Sequence, residues 1–539
     1  MNSRFKRKPP HKALAAGLAA LAIVGLPTLA QAGGMEESVG GTIALGRAAN
    51  YVRVNDFMAT WQNPANLAVI PFKGDLGGEL RIPLFKACFD RARDPEIAAA
   101  GLYRPTETFN NECNEAGVFP TGNLGWAASK TRRWGYGFGF FTPAGTPNLK
   151  FGKDATATID PNTGLQYPPT LPQTDANGNI IPFESGNRFL MLERRGVIGY
   201  VMAGVGAEPI PEFRFGFSGG VGFASVYFKS MVSVLGGRFA DDTEVLNELH
   251  VIDWAIPRFT MSAVAKPVDS FEIMGQVSYQ GDIEAKGYAD LTANGYRGVP
   301  LGNCKTWQDN GMGVAEAVNA GSHCRVDDVN LTVPQPTFEA TIGLRYALRR
   351  SDRGRVLDPL KDEIFDLELD LYWLQSSNVN AFTLNLYDAE RTKEGSAHIS
   401  PHPSADAPLL PVQRDVVIPH KWRDTFGLRF GGDINVISGI MAIRAGVSYE
   451  TSGVPTEYTN IDFWPMQKVG LHIGTSSRIG RLTLSSAFSH VFFRTVDVAV
   501  GTGKVPEVVA QLVDQAQAAN EGTYTASANI ISGQANLAF

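Results

Sequence analysis

The chain has 539 residues, with 48 Lys+Arg against 54 Asp+Glu; it is 44% hydrophobic and only 19% charged, and holds 57 Gly, 31 Phe and four Cys. That apolar fraction excludes a polar disordered chain, and an acidic balance without a basic tail argues against nucleic acid as a partner. A mean hydropathy of −0.08 argues against a bundle of membrane helices, and no linker-like break divides the chain into the three or four soluble domains, roughly, that its length suggests.

Residues 1–32 have the pattern of a secretory signal peptide. Arg4, Lys6, Arg7, Lys8 and Lys12 precede an apolar run from Ala13 to Ala30, and Ala30-Gln31-Ala32 forms a small-x-small cleavage site. A membrane anchor fits less well, because Gly17, Gly25 and Pro27 interrupt the run. Cleavage after Ala32 removes five cations and no acids, taking the formal net charge from −6 to −11. No later apolar stretch reaches the roughly 18–20 residues of a spanning helix, so the exported chain is either soluble outside the cytoplasm or a β-barrel. Cys88, Cys113, Cys304 and Cys324 fall into two sequence-local couples, and an oxidising compartment suits the disulfides Cys88–Cys113 and Cys304–Cys324. No C-x-x-C or Cys/His ligand spacing points to zinc or any other metal.

Residues 33–70 show no sustained period, but Phe57, Trp61, Leu67 and Ile70 make them too apolar for a disordered leader. From residue 71 onward, strict alternation of apolar and polar side chains recurs in separate segments. Phe338, Ala340, Ile342, Leu344 and Tyr346 interleave with Glu339, Thr341, Gly343 and Arg345. Phe365, Leu367, Leu369, Leu371 and Trp373 interleave with Asp366, Glu368, Asp370 and Tyr372. The same holds at Phe426 to Phe430 and at Met441 to Glu450. Such strands have two unlike faces, which fits either a soluble sandwich or an outer-membrane barrel with its apolar face on lipid and its polar face on the lumen. Long loops alternating with short turns, long segments and a terminal Phe539 favour the barrel. The segments are expected near 74–90, 122–131, 135–145, 188–206, 212–230, 250–268, 271–290, 328–348, 363–386, 420–436, 440–452, 466–479, 481–498 and 523–539, fourteen in all. A barrel this wide needs something in its lumen, and residues 33–70 are expected to be a plug. The division is then 1–32 signal peptide, 33–70 hatch and 71–539 transmembrane barrel.

At several points the sequence resembles the FadL/TodX family of outer-membrane transporters for long-chain fatty acids and other hydrophobic compounds. Leu45-Gly46-Arg47-Ala48 and the stretch Asp56 to Leu67, with Asn63-Pro64-Ala65, are similar to the family's hatch; Trp134 to Gly145 is similar to its third strand. Leu331 to Pro334, Trp422 to Thr425 and Val454 to Tyr458 continue the series in order. The resemblance implies an all-β, fourteen-stranded antiparallel transmembrane β-barrel of the bacterial outer membrane, with an N-terminal hatch. It also implies passive uptake of a hydrophobic, fatty acid-like ligand, captured at outside loops and released sideways through the wall. No cofactor or catalytic residue is implied, and the protein is expected to be a monomer in contact with outer-membrane lipid and lipopolysaccharide.

Within that reading, Asn63, Pro64 and Ala65 shape a hatch turn. Gly137, Gly139 and Pro143 either relax the pairing of the third strand to open the wall, or merely give room to a bulky neighbour or the hatch. Val245, Leu246 and Leu249 in one outside loop, and Met312, Val314 and Val318 in the next, form either a greasy capture groove or a mutual packing contact. Arg345, Arg429 and Arg444, on the lumen face, are either partners for a ligand carboxylate or members of an ion network with Glu339, Asp366, Glu368 and Asp370. Two apparent catalytic patterns are unconvincing. Gly216-Phe217-Ser218-Gly219-Gly220 fits G-x-S-x-G, but its flanks read as one continuous strand rather than a strand-to-helix elbow. His398 and His402 lie among prolines and not on a helix. The rival readings are aromatic hydrocarbon uptake on the same scaffold, a non-transporting surface scaffold or secretion partner, and a lipase using Ser218.

Overall fold

The computed structural model describes residues 41–71, 73–93, 95, 111–115, 120, 121–129, 133–142, 148–151, 158–159, 166–167, 187–233, 244–293, 304–309, 315–319, 323–350, 358–385, 397–399, 410–411, 415–506 and 518–539. The expected signal peptide lies outside them.

Fourteen antiparallel strands form a closed barrel. They are β1 Gly74–Arg91, β2 Thr121–Ser129, β3 Trp134–Phe141, β4 Glu193–Ile210, β5 Phe213–Ser233 and β6 Glu244–Val268, then β7 Phe271–Gln280, continued by Ile283–Ala293. β8 is His323–Val333 and Phe338–Arg349, β9 is Glu363–Leu374 and Ala381–Asn385, and β10 is Asp415–Pro419 and Thr425–Ile437. β11 Met441–Glu450, β12 Lys468–Ile479, β13 Leu482–Phe493 and β14 Gly522–Ala538 complete the set. β1 pairs with β14 over an unbroken register from Asp75 against Ala538 to Arg91 against Gly522, which leaves no free edge.

What decides between sandwich and barrel is the direction of each face. On β9, Asp366, Glu368 and Asp370 are buried while Leu367 and Leu371 are 43% and 46% exposed. On β10 and β12, Phe426, Ile434, Leu471 and Ile473 likewise point outward beside inward Arg429, Asp433 and His472. In water such an arrangement would leave the apolar rows bare and the charges dry; against lipid it is the stable one, because a cation on the lipid face costs about 2–4 kcal/mol at the midplane. The turns after β4, β6, β10 and β12 are tight, at residues 211–212, 269–270, 438–440 and 480–481, and mark the periplasmic end.

At the opposite end, residues Asn111–Cys113 pair with β1, and the disulfide Cys88–Cys113 is formed across that ladder. It closes a sequence separation of 25 residues, so its loss is expected to lower stability by about 3 kcal/mol. A fall in the urea midpoint of the folded barrel on reduction, absent in Cys113→Ser, checks this. The side chains of Cys304 and Cys324 lie outside the described residues.

Candidate functional site

The N-terminal segment forms α1 Gly41–Arg47, α2 Ala59–Gln62 and a 3₁₀ turn Pro64–Val69, almost all of it buried. It lies against the inner wall and bonds to strands on every side. The Thr42 amide donates to Gln534 Oε1 (3.2 Å), His472 Nδ1 donates to the Leu45 carbonyl (2.8 Å), and the Phe57 amide donates to Asp75 Oδ2 (3.0 Å). The Val52 amide donates to Glu368 Oε1 (2.7 Å), Tyr51 Oη donates to Glu339 Oε1 (3.0 Å), and Ser129 Oγ donates to the Ala68 carbonyl (2.9 Å). Asn63 Nδ2 donates to the Tyr51 carbonyl (2.6 Å) and Asn66 Nδ2 to the Val52 carbonyl (2.9 Å), while Pro64 opens the 3₁₀ turn and the Ala65 amide donates to Ser262 Oγ (2.9 Å). These side chains satisfy backbone groups that a non-repetitive buried segment would otherwise leave bare. Burial pushes the Asp56 carboxyl up to about 6, against the Gln534 Nε2 and Met58 amide donors that hold it down.

Close approach of this segment explains a run of wall glycines. A Cβ on Gly135 would sit 1.7 Å from the Leu67 carbonyl oxygen, one on Gly137 2.0 Å from Thr60 Oγ1, and one on Gly216 2.2 Å from the Pro64 carbonyl carbon. The absent side chains on β3 and β5 are the seat of the Asn63–Val69 turn.

Beside that seat the floor of the lumen is a buried ion network. Asp366 accepts from Arg47 Nη2 and Arg345 Nε, each at 2.8 Å, and Arg53 Nη1 lies 3.6 Å away. Arg345 also reaches Glu272 (2.7 Å) and Glu363 (2.6 Å); Asp433 binds Arg53 and Arg444, the latter at 3.2 Å. Arg429 stacks over the Tyr372 ring at 4.2 Å and faces Tyr51. Arg345 and Arg444 thus pair with carboxylates of the wall, while Arg429 lies over the Tyr372 and Tyr51 rings.

Toward the outer end the inward face changes character. Leu249 and Val251 of β6, Ile283, Ala285 and Ala289 of β7, and Val326, Val329 and Leu331 of β8 are all buried and belong to one apolar cluster. Phe382, His420, Trp422 and Phe463 add an aromatic group with centroids 3.9 to 6.5 Å apart. Phe57, Met58 and Trp61 join the cluster from below, with Trp61 packed on Phe141 (5.7 Å) and Tyr200 (5.4 Å). The lumen-polar rule expected from sequence thus holds for the periplasmic half only. Among the buried cations of the outer half, Arg188, 1% exposed, lies over Phe189, and Arg194, 4% exposed, over Phe463. Arg194 Nη1 donates to the Asp462 carbonyl, while its Nη2 is buried without a hydrogen-bond partner. Sequence reasoning missed both; the Glu193-Arg194-Arg195 triplet at the head of β4 was the signal available.

The wall is uneven beside this apolar half. β2 has nine residues and β3 eight, between β1 and β4 of eighteen each. Gly137 and Gly139 are paired on both sides, with Ala127 and Gly204, and with Gly125 and Met202. The described pairings with β4 run from Trp134 against Ala207 to Phe141 against Tyr200, and Leu149 and Lys150 pair with Arg194 and Glu193. Phe141, Leu149, Val197 and Ile198 are all buried. Pro143 lies outside the described residues.

The expected capture groove is placed differently. Leu246 and Leu249 lie within β6, which begins at Glu244, rather than in a loop, and they join different apolar clusters, Leu246 with Met231 and Leu249 with Val251. The register places Val245 in β6 as well, opposite Val232, so this half of the proposed loop pair is a strand, extended by long β6–β5 pairing beyond where alternation fades. Val318 lies on a small strand opposite Thr306; its side chain, and Met312 and Val314 entirely, lie outside the described residues. Ser218 is buried in the middle of β5, whose course is continuous from Phe213 to Ser233, so no elbow exposes it.

No protein-family model matches the chain, and no curated protein matches it by sequence. Solved structures do. A FadL homologue of Pseudomonas aeruginosa superposes with a TM-score of 0.60 at 16% identity, over 94% of this chain and 100% of that one. The Pseudomonas putida toluene transporter TodX gives 0.56 at 13% identity, over 93% and 99%. The Ralstonia pickettii toluene transporter TbuX gives 0.53 at 12%, over 93% and 98%. A closed antiparallel barrel with an outward apolar belt is a protein of the bacterial outer membrane, and the fold of this one is that of the FadL/TodX outer-membrane barrels.

Proposed function

We propose that the protein carries small hydrophobic molecules passively from the cell exterior through the apolar outer half of its lumen and releases them sideways beside Phe141 into the membrane. The observation that carries this reading is the change of the inner face from charged below to apolar above, with the N-terminal segment packed against both. A polar solute gains nothing from the apolar half and meets the ion network below it. A hydrophobic one gains about 0.8 kcal/mol per buried CH₂ and meets the apolar side chains of Phe141, Leu149, Val197 and Ile198 at its own level. The likeness to transporters of toluene and to a FadL homologue supports the cargo class. It does not choose between aromatic hydrocarbons and fatty acids.

Arg194 favours the fatty acid. A buried guanidinium with an unmatched N–H, set over the Phe463 ring of the apolar cluster, suits a carboxylate attached to an apolar chain. Replacement by glutamine is expected to weaken oleate binding by about 10- to 100-fold, the worth of a charge-assisted pair, and to leave toluene binding unchanged. Competition of a fluorescent fatty acid by each compound, on wild type and Arg194→Gln, measures this. Toluene bound tightly and oleate indifferent to the substitution would give the aromatic reading precedence; a folded barrel that binds neither would leave a scaffold.

A further inference from the structure

A pocket lies at the periplasmic end, lined in part by the N-terminal segment, with a cavity volume of about 50 Å³ and an open mouth. Its place is fixed by its rim: Pro211 is in the β4–β5 turn, Lys266 is near the end of β6, and Pro359 is in the connection before β9. Arg53, Arg214, Lys266, Arg345 and Arg349 line it, facing Glu208 and Glu272. Four of these cations have near partners. Arg53 binds Asp433, Arg214 binds Glu272 at 2.9 Å, Lys266 binds Asp269 at 3.1 Å, and Arg345 binds Glu272, Glu363 and Asp366.

Arg349 is different. Its side chain is only 9% exposed, yet its contact with a carboxylate among the described residues is Asp269 at 3.9 Å, a half-exposed group that lies closer to Lys266. Its Nε and Nη1 are buried and make no hydrogen bond. An unmatched buried guanidinium is costly, and its planar fork fits a two-oxygen anion. Val52, Val54, Val69 and Pro71 also line the pocket, and a fully hydrated ion such as phosphate would not use them.

We propose that this pocket is a binding site for a small carboxylate with a short apolar body, taken from the periplasm and held by Arg349 with Lys266 at the mouth. The site is separate from the outer lumen and does not depend on the transport reading. The test uses the mature chain in phosphatidylcholine nanodiscs, titrated calorimetrically with butyrate. Saturable binding is expected, weakened about 10- to 100-fold by Arg349→Gln, less by Arg349→Lys, and not at all by Arg194→Gln. In the wild type, butyrate is also expected to protect the Arg349 peptide from phenylglyoxal, a readout that needs no variant to fold. The proposal is overturned if wild type shows no saturable binding, if Arg194→Gln abolishes it while Arg349→Gln does not, or if inorganic phosphate displaces butyrate at equal concentration.

Discussion

Asp366→Asn is expected to destabilise the folded barrel by about 3–5 kcal/mol, the cost of removing one partner from a buried ion pair. Asp366 is wholly buried and gathers Arg47 from the N-terminal segment and Arg345 from β8, with Arg53 at the edge of reach. Its Oδ1 also accepts from the Asp433 amide at 3.0 Å. An amide keeps the shape but loses the charge, leaving guanidinium groups in a medium that cannot solvate them. The urea midpoint of the folded band on an unheated gel should fall. Adding Arg47→Met should cost less than the two changes separately, because groups in one network are not additive. A midpoint unchanged in Asp366→Asn would mean that water reaches the network and that the floor is not dry.

Gly216→Val is expected to unseat the N-terminal turn while leaving the barrel closed. The new Cβ would meet the Pro64 carbonyl carbon at 2.2 Å and the Ala65 amide nitrogen at 2.4 Å, and neither is the end of a flexible side chain. Overpacking of this kind costs about 1–3 kcal/mol, enough to shift a seated-to-displaced equilibrium by about 5- to 150-fold. The signature is new trypsin cleavage at Arg47 or Arg53 in intact vesicles, together with entry of polar dyes. Gly275→Val is the control: a Cβ there meets nothing within 4 Å, so neither readout should move. Cleavage in both variants, or in neither, would show that the glycine seat does not hold the segment.

The strands were legible because a barrel wall imposes a period of two along each one, and a period is a property of neighbours in sequence. Asp366, Glu368 and Asp370 could be placed on one face from spacing alone, and so could Leu367 and Leu371. The inner face of the outer half was not legible, because there Ile283, Ala285 and Ala289 are buried while Glu284 and Lys286 between them are exposed, so the same alternation has the opposite sense and period alone does not say which face is inside. The groove residues Leu246 and Leu249 were misplaced in a loop for a related reason: β6 continues through Asn247, Glu248 and His250, where pairing with β5 persists after the pattern has faded.

Alternation by itself determined a set of two-faced strands after a non-repetitive apolar N-terminal segment, since these depend on what each residue is and on which residues adjoin it, while barrel rather than sandwich followed from which face points outward. Tertiary structure alone decided that Arg345 and Arg444 pair with carboxylates, that Gly135 and Gly216 are a seat, that Arg194 sits on the Asp462 carbonyl and the Phe463 ring, and that Arg349 reaches Asp269 at 3.9 Å. Those facts join residues tens or hundreds of positions apart, and a charge or a glycine in a sequence does not say whether its partner across the lumen is present.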